Sequence, residues 1–345
     1  MAAQRDSNIE LLRIIATIMI LMVHYSGWML TLVQDTNIDS FWIGGTSMAV
    51  TRSMLNAASC IGVVLFVLIS GYFSIKIKLC SLINLFTCLA FFYIGSWLLQ
   101  CYVNDSNVFE HHRLLRCFLA FSKENWFIQC YLFLMLLSPI LNAFVEKVTE
   151  KQLAFYISVF IACAFYFGCL HNSEYFYFNG GYSVTTFIMI YLVGRYIKLY
   201  GVCRVKNTSS CLLLSVWMVC TVLISLGLLY LPHWYLMWSY CSPIQLISAS
   251  FLFILFSRLN FKSAFVNWVG RSCLAAYIVH TSYPVFDYMI KIDKNLFLTE
   301  NAFYYLCGGI VLISGVFVIS ILLDKIRLFI FSPLINSCNK IHFNI

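Results

Sequence analysis

The chain has 345 residues, of which 61% are hydrophobic and only 10% charged. A soluble domain carries about a quarter charged residues because its outside faces water, so these proportions exclude a soluble globular protein and require a lipid-facing surface. The formal net charge of +8 comes from Lys and Arg scattered between apolar stretches, with no basic run or basic helix face, which argues against nucleic acid as a partner.

A membrane span needs roughly 20 mostly apolar residues to cross the hydrocarbon core. About ten such segments follow one another at 9–30, 57–73, 81–102, 125–144, 152–170, 182–200, 209–231, 242–256, 272–290 and 302–323. They predict an all-α, polytopic transmembrane helical bundle of about ten spans, a single integral-membrane domain over 1–345 in contact with membrane lipid. The first apolar run is too long, and too polar at His24, for a cleavable signal peptide. On alternate loops, one side holds only Arg52, Arg113, Arg116, Lys123, Lys291 and Lys294, and the opposite side holds the other sixteen of the 22 Lys and Arg. That bias predicts a cytoplasmic N-terminus and a cytoplasmic C-terminus. The longest outer loop, 103–124, carries His111, His112, Arg113 and Arg116 and reads either as an interfacial amphipathic segment or as an acceptor-binding rim. The 15 Cys sit mostly inside apolar runs without CxxC or zinc-type spacing, so they read as small apolar residues, and no metal site is expected.

Ionisable groups inside spans are costly, which makes each one a functional candidate. Arg13 and His24 lie eleven residues apart in the first span. On a helix they fall within about 20° of one face and about 16 Å apart along the axis. A guanidinium suits a phosphate or a polarised carbonyl, and imidazole suits proton transfer near neutral pH. Two plainer readings stand beside this. Arg13 could snorkel to the headgroups and pair with Glu10, and His24 could hydrogen-bond a neighbouring helix.

His280, in the ninth segment, sits about 13 Å in from Arg271 by helical rise, a depth comparable to that of His24. Pro284 is expected to disturb the backbone at His280 and open a polar kink there. Asp287, seven residues on, shares the face of His280 if the helix is continuous. Ser70-Gly71-Tyr72 closes the second span at the level of Arg13, and either offers a close approach to a ligand or marks a helix crossing. Asn125 and Trp126 open the fourth span, as a belt anchor or as a platform for stacking on a sugar.

With these residues in place, the chain resembles the acyltransferase 3 family, bacterial multi-pass membrane O-acyltransferases that decorate surface polysaccharides. The likeness rests on Leu12-Arg13 followed by His24, on Phe66 through Ser70-Gly71-Tyr72-Phe73, on Trp126-Phe127-Ile128 leading to Leu137-Ser138-Pro139-Ile140-Leu141-Asn142, on Tyr191 through Gly194-Arg195-Tyr196, and on Ala276-Tyr277-Ile278-Val279-His280. It implies transfer of an acyl group, acetyl in particular, from cytoplasmic acyl-CoA to a hydroxyl of a cell-surface or lipid-linked glycan, at the cell (inner) membrane and without a metal. Arg13, Ser70, Gly71, Lys76 and Lys78 would then hold the donor. His24 as general base, with Arg13 and His280, would serve catalysis, and Asn125, Trp126 and Asp287 the acceptor. The chain departs from the pattern at Lys76-Ile77-Lys78, where many relatives carry an arginine pair. A transporter or flippase of lipid-linked glycan precursors is the rival, disfavoured because the chain shows no half-to-half repeat of the kind transporters carry.

Overall fold

The structure is a computed structural model, and it describes residues 6–32, 42, 44–103, 125–171, 177–233 and 235–338. The outer-loop segment 104–124 therefore lies outside the described residues. Every regular element described is helical. The α-helices of seven or more residues are, in chain order, α1 (Ser7–Leu32), α2 (Gly45–Ser59), α3 (Gly62–Phe73), α4 (Leu79–Val103), α5 (Trp126–Lys147), α6 (Glu150–Phe165), α7 (Val184–Tyr196), α8 (Ser210–Tyr230), α9 (Pro243–Ser257), α10 (Ala264–Gly270), α11 (Cys273–His280), α12 (Val285–Phe297) and α13 (Ala302–Cys338).

Among the described residues, nine helices are long and apolar enough to cross a membrane. Their outward faces carry Phe133, Leu136 and Ile140 on α5 and Val311, Val318 and Ile319 on α13, all exposed, as a lipid-facing surface requires. Inside, hydroxyls turn back on their own helices. Thr17 donates to Arg13 O, Ser26 to Met22 O and Ser320 to Val316 O, so these polar groups bury without stranding a donor.

Three segments differ from the hydropathy reading. The second span runs over Gly45–Phe73, twelve residues earlier than expected, with only a short break at Cys60 and Ile61. Arg52, expected in an outer loop, is thus inside the bundle and 1% exposed. The last helix continues past Leu323 to Cys338, burying Asp324 and Arg327. The ninth segment does not form one helix. α11 stops at His280, the hydroxyls of Thr281 and Ser282 bond back to Tyr277 O and Ile278 O, and α12 starts afresh after Pro284. Pro284 has no N–H to carry the ladder forward, and in a continuous helix its ring would collide with the carbonyl four residues back.

α1 is the axis of the molecule. It packs against α2, α3, α9, α10, α11, α12 and α13, so side chains on nearly every face of it are interior. α3 in turn lies against α7 at Gly71 and Gly194, where a Cβ on either glycine would overlap the other helix's backbone. Small residues let the two backbones approach this closely.

Candidate active site

Two features flank α1 along its length. At its N-terminal end a cavity of about 440 Å³ opens between α1, α3, α4 and α5, a volume in the range of small-molecule sites. Arg13, Ser70, Lys76 and Tyr131 line it. The Arg13 guanidinium is fixed by a 2.5 Å ion pair with Glu10 one turn earlier, yet the side chain stays one-quarter exposed. Ser70 donates to Phe66 O at 3.0 Å, so at the 3.3 Å contact between Ser70 Oγ and Tyr131 the phenol is the donor. Lys76 is exposed at the rim.

The strap 74–76 forms one wall and is held by a closed set of hydrogen bonds. Ile75 N donates to Tyr191 Oη (3.1 Å), Tyr191 donates to Asn142 Oδ1 (2.8 Å), and Asn142 Nδ2 donates to Ile75 O (3.2 Å). Two of the sequence motifs thereby gain a physical role. Asn142 and Tyr191, far apart in the chain, clamp the same peptide beside Lys76.

The second feature lies about 16 Å further along α1 by helical rise. His24 Nδ1 stands 2.7 Å from His280 Nε2, with the rings 4.9 Å apart and 28° from parallel. His280 is fully buried, and its Nδ1 lies 3.0 Å from Ala276 O. A carbonyl has no proton to give, so His280 donates from Nδ1. In the neutral ring Nε2 is then an acceptor, and His24 must donate to it from its own Nδ1. This leaves His24 Nε2 with a free lone pair. The helix break after His280 matters here, because it ends α11 with the imidazole turned onto α1.

The two features are joined by aromatic rings. Tyr131 on the cavity wall stacks with Phe127 (5.9 Å), Phe127 lies 5.0 Å from Tyr277, and Tyr277 meets His280 edge-on at 5.5 Å. Neither histidine lines the Arg13 cavity. A much smaller cavity, of about 10 Å³, touches His24 on another side, lined also by Tyr25, Phe286 and Asp293.

The structure thus brings Arg13, Ser70 and Lys76 to one cavity, and His24 and His280 into direct contact. The other expected site residues lie elsewhere. Gly71 faces α7 at the helix crossing. The backbone carbonyl of Lys78 starts α4, accepting from Ser81 N and Leu82 N, and its side chain is exposed. Asn125 is buried next to the first residue of α5. Trp126 belongs to an interior aromatic cluster with Tyr182 (4.6 Å), Phe187 (5.9 Å) and Tyr240 (5.9 Å). Asp287 stands on α12, beyond the break, so it does not share a helical face with His280, and it lines neither cavity.

Sequence reasoning missed Arg52, Asn56 and Asp293, all buried. Their signal was a set of polar groups within segments that a continuous-helix reading left outside the second span or past the end of the ninth.

Architecture and site define a multi-pass membrane protein whose interior holds a histidine pair and whose one end holds a cavity lined by Arg13 and Lys76 together with Asp6 and Glu10. The family model described as an acyltransferase domain matches residues 6–322, and the chain belongs to that family, acyltransferase 3. It is a membrane acyltransferase by that membership. No curated protein and no solved structure matches it.

Proposed function

We propose that the protein is a membrane O-acyltransferase, an O-acetyltransferase in the first instance, that carries an acyl group from cytoplasmic acyl-CoA to a hydroxyl of a cell-surface or lipid-linked glycan. Both termini face the cytoplasm in this reading, and the protein resides in the cell (inner) membrane. The donor approaches through the Arg13 cavity, where the guanidinium and Lys76 meet phosphate or the thioester carbonyl, and its acyl end reaches past the aromatic rings towards His24.

At His24 the acceptor hydroxyl gives its proton to Nε2 as its oxygen attacks the thioester carbonyl carbon. The tetrahedral intermediate then expels the CoA thiolate, and the proton held by His24 passes to the sulfur. His280 touches neither reactant and is a positioning residue. It accepts the Nδ1–H of His24 and so keeps Nε2 unprotonated before attack.

One observation carries the reading: the hydrogen-bond chain from His24 through His280 to Ala276 O leaves a single free lone pair, on the residue at the centre of the bundle. The test is transfer of label from acetyl-CoA to membrane glycan by protein reconstituted in lipid nanodiscs. H24A is expected to lose about 10²- to 10⁴-fold in rate at unchanged protein level. Wild-type rates in H24A would remove His24 from the chemistry. R13K is expected to lose activity with the donor dependence most affected, because a lysine does not present a planar fork.

A further inference from the structure

Buried polar groups unused by this chemistry gather on the side of His24 remote from Arg13. Asp293 on α12 is 2% exposed; the Tyr305 hydroxyl lies beside it, but neither carboxylate oxygen makes a well-formed hydrogen bond among the described residues. Asn56 on α2 is fully buried, and both ends of its amide are in the same condition. It sits against Gly27, one turn beyond His24, where an added Cβ would come within 2.9 Å of Asn56 Nδ2. Arg52, one turn before Asn56 on the same face of α2, lies 4.8 Å over the Phe297 ring, one turn along α12 from Asp293.

A buried carboxylate without hydrogen bonds is among the most costly groups a membrane interior can hold. The nearby Arg52 offsets its charge but leaves its lone pairs unused. Those lone pairs call for O–H or N–H donors, and the Asn56 amide can both give and take. A polyhydroxyl compound offers both. Asp293 and His24 line the same small cavity, and its volume of about 10 Å³ is that of one water-sized group. It therefore fits one edge of a sugar ring rather than the whole ring.

Resting on the assignment of His24 as the base, we propose that Asp293, supported by Asn56, is the acceptor-recognition residue and that the acceptor presents two adjacent hydroxyls. One hydroxyl donates to His24 Nε2 and is acylated. Its neighbour donates to the Asp293 carboxylate and fixes which oxygen attacks. The substrate class is accordingly a vicinal diol of a saccharide, not an isolated alcohol.

The experiment uses the full-length protein in nanodiscs with labelled acetyl-CoA and two probes. One is an alkyl hexoside with vicinal ring hydroxyls, and the other is its deoxy analogue with a single ring hydroxyl. The wild type is expected to prefer the diol. D293N should raise the acceptor KM for the diol about tenfold or more, the worth of a hydrogen bond to a charged group. On the single-hydroxyl probe, which offers Asp293 no second hydroxyl, the rise in KM should be several-fold smaller than on the diol. N56S, which keeps a small polar group, should shift the diol KM in the same direction.

Equal losses on both probes, or no wild-type preference, would overturn the proposal while leaving His24 as the base. So would recovery of diol transfer in the R52Q/D293N pair, since charge balance alone would then explain Asp293. Should the wild type acylate neither probe while acylating no membrane glycan, the acyltransferase reading itself fails, and this inference with it.

Discussion

Among the described residues the bundle buries two arginine–aspartate sets, and they are built differently. On α13, Arg327 donates through Nε to Asp324 (2.7 Å) and through Nη1 to Asn84 Oδ1 (3.0 Å) and Thr87 Oγ1 (3.1 Å), tying α13 to α4. Between α2 and α12, Arg52 stacks on Phe297 while both oxygens of Asp293 stay without hydrogen bonds. The first set is closed at its arginine, with only Asp324 Oδ2 left without a partner, and ties two lipid-exposed helices together. The second is open and borders the cavity that touches His24. Burial and charge are alike in the two, so what separates them is how far their hydrogen bonds are already spent on a neighbouring helix.

That contrast can be broken experimentally, and the largest effect is expected in the closed set. R327M leaves Asp324 buried without its cation, which costs about 3–5 kcal/mol and should show as a large drop in melting temperature or in the yield of folded protein in detergent. A smaller effect is expected at the strap. Y191F leaves Ile75 N–H and Asn142 Oδ1 without their shared partner, a cost of about 1–3 kcal/mol. It should also raise the KM for acetyl-CoA, because that peptide walls the Arg13 cavity proposed to admit the donor, and should leave the acceptor KM unchanged.

The smallest stability effect is expected in the open set. D293N has no well-formed hydrogen bond to lose but takes from buried Arg52 the charge that balances it, so its melting temperature should fall less than that of R327M. A fall as deep as that of R327M would mean that the two sets are alike and that Asp293 is structural.

Much of this site was legible in the sequence because its residues interrupt strongly apolar runs. Arg13, His24 and Ser70 stand out in α1 and α3, and the comparable depth of His24 and His280 anticipated their contact. Arg52 and Asn56 were hidden for a physical reason. The span that contains them is shielded from lipid, with 72% of its most apolar stretch buried against 28% for Leu79–Val103. A shielded helix can be polar, and hydropathy therefore placed its start too late.

Asp293 was missed for another reason. A continuous helix from His280 would put Asp287 on its face, but the break at Pro284 resets the helical phase, and it is Asp293 that reaches the small cavity. Gly71 shows the reverse case, where one motif has two uses. Its serine lines the Arg13 cavity, and its glycine admits α7.

The central claim is the protonation pattern of the histidine pair, and it can be measured directly. Solid-state NMR of the protein in lipid, labelled with ¹⁵N-histidine and assigned with H24A and H280A, reports which nitrogen of each ring carries the proton. The account predicts a proton on Nδ1 of both rings in the resting neutral pair, with His24 Nε2 unprotonated. A proton on His24 Nε2 would contradict it, because the residue at the centre of the bundle would then have no lone pair with which to take a proton from an acceptor.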